Sequence, residues 1–381
     1  MTRVAGSGVV GRRRLLALDG LRGLAAVAIA IHHTWMFTAH GTTIADRALD
    51  EMRLGVTLFF VLSGYLVFGP FVAAALDGRD QPDRRRYALK RAARILPAYW
   101  LVLAGAYALT AATHHPMGIA ADQLPLFLVF AQNQVDAIRG HLDPPLWSLA
   151  VEASFYILLP IVAIAVARLG RDRRAQLALV GGLIGAGVLA CVLGTALDWP
   201  RTVTDSLLTT LPLFGCGMAV AVLTHGRTLS ARTGWWLIAA GLPLMLGGAA
   251  VENGFGLQAG ALRPLVSDLP AAAGFALVVA ALVAAPLRAR PLTVAPVLFA
   301  GTVSYGLYLW HFPVIYGLRE AGLFPSSPVP AMALVLVIAL GLATISWYAV
   351  EQPVLRWAHR RRGAAPLPRR APDAARTATS A

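Results

Sequence analysis

Lysine is nearly absent from this chain. Lys90 is the only one, so its basic charge is carried by arginine almost throughout. Acidic residues are scarce as well: 19 Asp and Glu stand against 33 basic residues, and charged groups of all kinds make up 14% of 381 residues. A soluble globular domain carries about 25% charged residues, and a disordered one few apolar residues, so neither class fits a chain that is 57% hydrophobic. Cysteine is limited to Cys191 and Cys216, each inside an apolar run. That excludes a disulfide framework and a CxxC metal site, and we expect no metal.

What is present is apolar sequence in long runs, with a mean hydropathy of +0.64. The composition reads as an all-α polytopic membrane protein. The net charge of +14 is explained by positive-inside anchoring rather than by nucleic acid, which we do not expect as a partner. Arginine in place of lysine, with abundant alanine, points to a high-GC bacterial genome and a multi-pass protein of the plasma membrane.

Apolar stretches of about 17 to 25 residues, the length that spans a bilayer, fall at 19–38, 54–76, 95–113, 146–167, 177–197, 206–225, 234–250, 269–285, 296–317 and 329–350. Ten transmembrane helices place both termini in the cytoplasm, because the arginine-rich loops at 78–94, 168–176, 226–233 and 286–292 then share one side with both tails. The segment 123–131 is too short to cross and reads as an interfacial or re-entrant piece within the loop 114–145. Residues 1–17 form a cytoplasmic tail, 18–357 the membrane domain and 358–381 a disordered cytoplasmic tail. Asp19 and Arg22 at the base of the first run, with histidines inside it, mark a retained helix rather than a cleaved signal peptide.

Titratable groups in hydrocarbon are costly and usually functional. The first span reads LDGLRGLAAVAIAIHH over 18–33. Arg22 and His33 are eleven positions apart, which on a helix places them within about 20° of one face and about 16 Å apart along the axis. His32 points about 80° away, so His33 is the expected site of chemistry. In the second span Ser63 and three glycines in GVTLFFVLSGYLVFG are consistent with helix packing. Arg86, Lys90 and Arg94 recur every four residues ahead of ILPAYW, a ridge that with Arg91 suits a polyanion such as a nucleotide diphosphate. Positive-inside anchoring alone would also produce it.

In WSLAVEASFYILLP, Ser148, Glu152 and Tyr156 share one helix face, with Trp147 at its head. Glu152 is expected a turn or two below the outer surface, where it must find a partner. Ser304, Tyr308 and His311 share a face in SYGLYLWHFPV. Glu351, in EQP, reads as a helix-end partner for arginine.

Taken in order, LDGLRG with its histidine eleven residues after Arg22, GVTLFFVLSG, RAARILPAYW, WSLAVEASFY, SYGLYLWHFP and EQP resemble the acyltransferase 3 family of integral membrane O-acyltransferases. The likeness spans residues 18 to 353. It implies a ten-helix bundle that takes an acyl group, acetyl by default, from cytoplasmic acyl-CoA and delivers it to a hydroxyl, often of a carbohydrate, glycolipid or glycosylated product. On that likeness Arg22, Arg91 and Arg94, with Asp19 beside Arg22, are the CoA-side residues. His33 is catalytic, and Glu152 and His311 belong to the central site; Ser63, Trp147, Ser148, Tyr156 and Tyr308 line it or meet the acceptor.

Thr57 departs from the family, whose members commonly carry Asp there, and puts a role for that position in doubt. Some relatives add an extracytoplasmic esterase-like domain that is not found in these residues, so handover is expected within the membrane or on a soluble acceptor. The pantetheine arm is expected to thread from the arginines along the Arg22 to His33 face, with either direct transfer or an acyl relay at histidine or Ser63. The rival reading, a transporter or flippase, uses the same buried polar groups as a solute or proton site. No inverted pair of broken helices supports it.

Overall fold

The computed structural model describes residues 4–255, 264–287 and 289–360, and among these there is no strand. The helices are α1 (Val4–Trp35), α2 (Ile44–Glu51), α3 (Gly55–Asp77), α4 (Arg84–Ala112), α5 (Leu124–Leu128), α6 (Leu146–Leu169), α7 (Arg173–Ala196) and α8 (Arg201–Thr204). They continue as α9 (Leu207–Thr224), α10 (Ala231–Phe255), α11 (Leu269–Ala284), α12 (Ala295–Thr302), α13 (Ser304–Glu320), α14 (Pro328–Ser346) and α15 (Gln352–Arg360).

Local sequence sets the ends. Thr43 and Asp46 form a reciprocal capping box on α2, Asp83 caps α4, and Asp172 accepts from the Arg174 and Ala175 amides at the start of α7. Each cap satisfies backbone donors that the first helical turn leaves free. Gly78, at φ +67°, closes α3 in the left-handed conformation.

Among the described residues eight helical stretches are long and apolar enough to cross a bilayer, and the chain is a multi-pass membrane protein. The other two expected spans differ in detail. The one at 234–250 corresponds to α10. The one at 296–317 is two helices, α12 of 8 residues and α13 of 17, broken at Val303. At the break the Ser304 hydroxyl donates to the Gly301 carbonyl, which satisfies an acceptor freed at the end of α12. The expected tail 1–17 is helical from Val4 onward. The expected disordered tail lies outside the described residues from 361 onward.

Helices α3 and α9 form the centre. In the span ending with α9, 67% of the apolar window is buried, against 28% in α7 and in the α14 span. Helices α3 and α9 cross at glycines: a Cβ on Gly64 would collide with the Phe214 carbonyl, and one on Gly217 with the Val61 carbonyl. Helices α1 and α12 are locked in the same way by Gly23 and Gly301. Small residues at crossings are how membrane helices gain contact without a hydrophobic driving force between them.

The expected interfacial segment is the five-residue helix α5, tied to α4 by the Tyr99 hydroxyl on the Phe127 carbonyl (2.6 Å) and the Trp100 indole on the Leu128 carbonyl (3.2 Å). Phe127, Ile138 and Leu142 are buried. The long loop is therefore packed structure, folded over the end of the bundle.

Candidate active site

Two cavities open into the bundle from opposite ends. The first, about 790 Å³, is lined by Arg22, Arg91 and Arg94 together with Ser63, Glu152 and Tyr156. Glu152 accepts short hydrogen bonds from the Ser63 hydroxyl and the Tyr156 phenol through one carboxylate oxygen, Oε1. The Arg91 guanidinium lies 5.4 Å from the centre of the Tyr156 ring. Among the described residues no carboxylate forms an ion pair with Arg22, Arg91 or Arg94. Three cations thus face one cavity with a single carboxylate, already engaged by two hydroxyls, inside it. Such a cavity favours an anionic ligand.

The second cavity, about 1630 Å³, is lined by His32, His33, Trp147 and the loop residues Arg139, Gly140 and Pro144. His33 Nδ1 is 2.8 Å from His311 Nε2, and the rings stack. His311 Nδ1 lies 3.3 Å from the Leu307 carbonyl, which can only accept, so that nitrogen carries the proton. In the neutral pair His311 Nε2 is then an acceptor and His33 Nδ1 its donor. His33 Nε2 is left as an unprotonated acceptor on a ring that lines the cavity. The hydrogen bond to a second histidine thus fixes the tautomer and orientation of the His33 ring.

The structure brings together most of the expected residues, though not all in one place. Arg22 and His33 line different cavities, so the single continuous face expected from Arg22 to His33 is interrupted. The interruption is Val56, Phe60 and Tyr308, which line both cavities. Glu152 sits with the arginines and not beside either histidine of the pair, because α3 and α6 place it against Ser63. Ser148 and Tyr308 are joined at 2.7 Å, linking α6 to α13. Asp19 lines neither cavity; its backbone packs against Gly301 of α12. Thr57 is buried and lines the His33 cavity.

Sequence reasoning missed the charged rim of the second cavity. Arg53 pairs with Asp268 (3.1 Å) and donates to the Ser267 hydroxyl (2.7 Å). Arg139 pairs with Asp205 and lies 3.6 Å from Asp136. Arg53 and Asp268 are 215 positions apart, and each looks in sequence like an ordinary loop charge.

This architecture defines a multi-pass helical membrane protein with a polar core reached from both ends. Residues 15–349 match the family model of acyltransferase 3, described as an acyltransferase domain, and the chain belongs to that family. It is 26% identical over 363 residues to the O-acetyltransferase OatA of Staphylococcus aureus (strain NCTC 8325 / PS 47), covering 90% of this chain and 57% of that protein. It is 26% identical over 341 residues to the peptidoglycan O-acetyltransferase OatA of Listeria monocytogenes, covering 80% of this chain and 50% of that one. The chain therefore spans about half the length of these relatives. No solved structure matches it.

Proposed function

We propose that this protein is a membrane O-acetyltransferase. Acyl-CoA enters the arginine-lined cavity from the cytoplasm, and the acetyl group passes to a hydroxyl presented in the cavity that His33 lines. The observation that supports this reading is the pairing of the two chambers: guanidiniums with no ion-pair partner among the described residues on one side of a shared wall, and a ring nitrogen free to accept a proton on the other. The arginines fit the phosphates of a nucleotide-bearing donor, because guanidinium forks match phosphate oxygens.

In the proposed step His33 Nε2 takes the proton of the acceptor hydroxyl as its oxygen attacks the thioester carbon. A tetrahedral oxyanion forms, the C–S bond breaks as it collapses, and the proton passes from the imidazolium to the departing thiolate. CoA leaves as the free thiol and the acceptor as its ester. His311 carries no proton away; it holds the tautomer that leaves Nε2 open. The acceptor is taken to be a carbohydrate of the cell envelope, by analogy with the substrate in the name of the Listeria relative.

Inside-out vesicles carrying the full chain, loaded in their lumen with isolated peptidoglycan glycan strands and supplied from outside with radiolabelled acetyl-CoA, test the reading. Label should appear on the strands as a base-labile ester with stoichiometric release of CoA thiol. Solute movement without thiol release would favour the transporter instead.

A further inference from the structure

The wall between the two chambers is built from three side chains with different freedom. Tyr308 is clamped: its hydroxyl lies 2.8 Å from the Pro145 carbonyl and 2.7 Å from the Ser148 hydroxyl, and its ring meets Phe59 edge-on. Phe60 is buried against two aromatic rings, a tilted Phe214 with centres 4.7 Å apart and an edge-on Trp147 at 6.3 Å. Val56 is only partly buried and packs against two of the core clusters at once. It has no polar atom to tie it down. Two members of the wall are thus held by specific contacts, and the third, which lines the same two cavities, is held by packing alone.

We propose that Val56, Phe60 and Tyr308 form the gauge that measures the acyl chain, with Val56 the residue whose bulk sets the length accepted. This rests on the acyl-CoA reading above. A thioester advancing from the arginines meets the wall with its carbonyl carbon, because that carbon must come within reach of a hydroxyl on the far side. The acyl chain must then lodge at the wall itself. A packed interior does not yield to extra methylenes without displacing neighbours, and here the neighbours are held by hydrogen bonds and ring contacts. A methyl is accommodated, whereas a longer chain is penalised by about tenfold or more. The wall therefore makes the enzyme an acetyl-transferring one.

The test uses the full chain in detergent, with tritiated acetyl-CoA displaced by unlabelled CoA, acetyl-CoA, butyryl-CoA and octanoyl-CoA. Wild type should bind acetyl-CoA at least about tenfold more tightly than octanoyl-CoA. Val56→Ala should reduce that ratio to within about threefold, a gain confined to the longer chains. Val56→Phe should weaken acetyl-CoA itself while leaving free CoA unaffected. Phe60→Leu enlarges the same wall from its other side and supplies the ratio if the alanine variant does not purify. Equal affinities across the series in wild type, or a ratio unmoved in every enlarged variant, would overturn the gauge. Failure of CoA and all its thioesters to bind would instead overturn the acyl-CoA reading on which it rests.

Discussion

His33 on α1 and His311 on α13 face each other at 2.8 Å, Nδ1 to Nε2, across 278 positions of sequence. Because the Leu307 carbonyl fixes the proton on the far nitrogen of His311, the pair has a direction. Replacing His311 by Phe keeps the ring packing and removes the acceptor, so His33 loses its tautomer preference. Acetyl transfer should fall about 10²-fold or more, the usual worth of a positioned general base, mostly in kcat. Gln, which can still accept, should restore part of the loss. Equal activity of the Phe variant and wild type in vesicle assays would show that His311 is packing alone.

Arg91 and Arg94 line the first cavity without an ion-pair partner among the described residues. Neutralising both to Gln should raise the KM for acetyl-CoA by about 10- to 100-fold, as expected for lost charge-assisted hydrogen bonds. The KM for acceptor should move far less. Steady-state kinetics varying each substrate in turn makes the comparison. A change confined to the acceptor would place the ridge on the wrong substrate.

The crossing of α3 and α9 leaves no room for a methyl group at Gly64 or Gly217, each of which faces backbone of the other helix. Backbone cannot step aside as a flexible side chain can. Gly64→Ala and Gly217→Ala should each cost about 1–3 kcal/mol, the range for overpacking. Gly181→Ala, where the added Cβ meets open space within helix α7, is the control and should be neutral or stabilising by up to about 1 kcal/mol. Melting temperatures in detergent rank the three. Parity of Gly217→Ala with the control would mean the helices do not approach this closely.

Asp143, in the loop over the His33 end of the bundle, is 1% exposed, and neither carboxylate oxygen has a hydrogen-bond partner among the described residues. Burial pushes its pKa well above the ordinary carboxylate range. The folded state thus holds a proton that the unfolded chain releases near pH 4. Its stabilising contribution is complete below that pH and is lost as pH rises toward the folded-state value. Asp143→Asn removes the titration and keeps the shape. The variant should melt higher than wild type at pH 8 and match it near pH 4. A melting difference independent of pH would show that the carboxyl does not titrate on unfolding.

The helical class, the membrane setting and the two polar stripes were readable because period and hydropathy are local properties. Ser148 with Glu152 and Tyr156, and Tyr308 with His311, lie on shared faces in sequence and in structure alike. Partnership between stripes was not readable. Helix geometry placed Arg22 and His33 on one face; it could not reveal that Val56, Phe60 and Tyr308 of α3 and α13 are shared by the two separate cavities that Arg22 and His33 line. Glu152 was expected to need a partner, but helix direction alone could not show that Ser63 of α3 would be that partner or that the arginines would share its cavity. The break at Val303 was missed because no Gly or Pro marks it and the apolar run continues through it. Arg53 and Asp268 were missed because an ion pair between distant loops leaves no periodic trace.

The most direct test is single-turnover transfer of acetyl from labelled acetyl-CoA to glycan strands by wild type and by His33→Ala, in vesicles where both proteins are folded and bind acetyl-CoA equally. His33→Ala should retain donor binding and lose about 10³-fold or more in transfer rate, within the span expected for removing a general base from a site of this kind. Transfer by His33→Ala at the wild-type rate would contradict the placement of the chemistry at that imidazole.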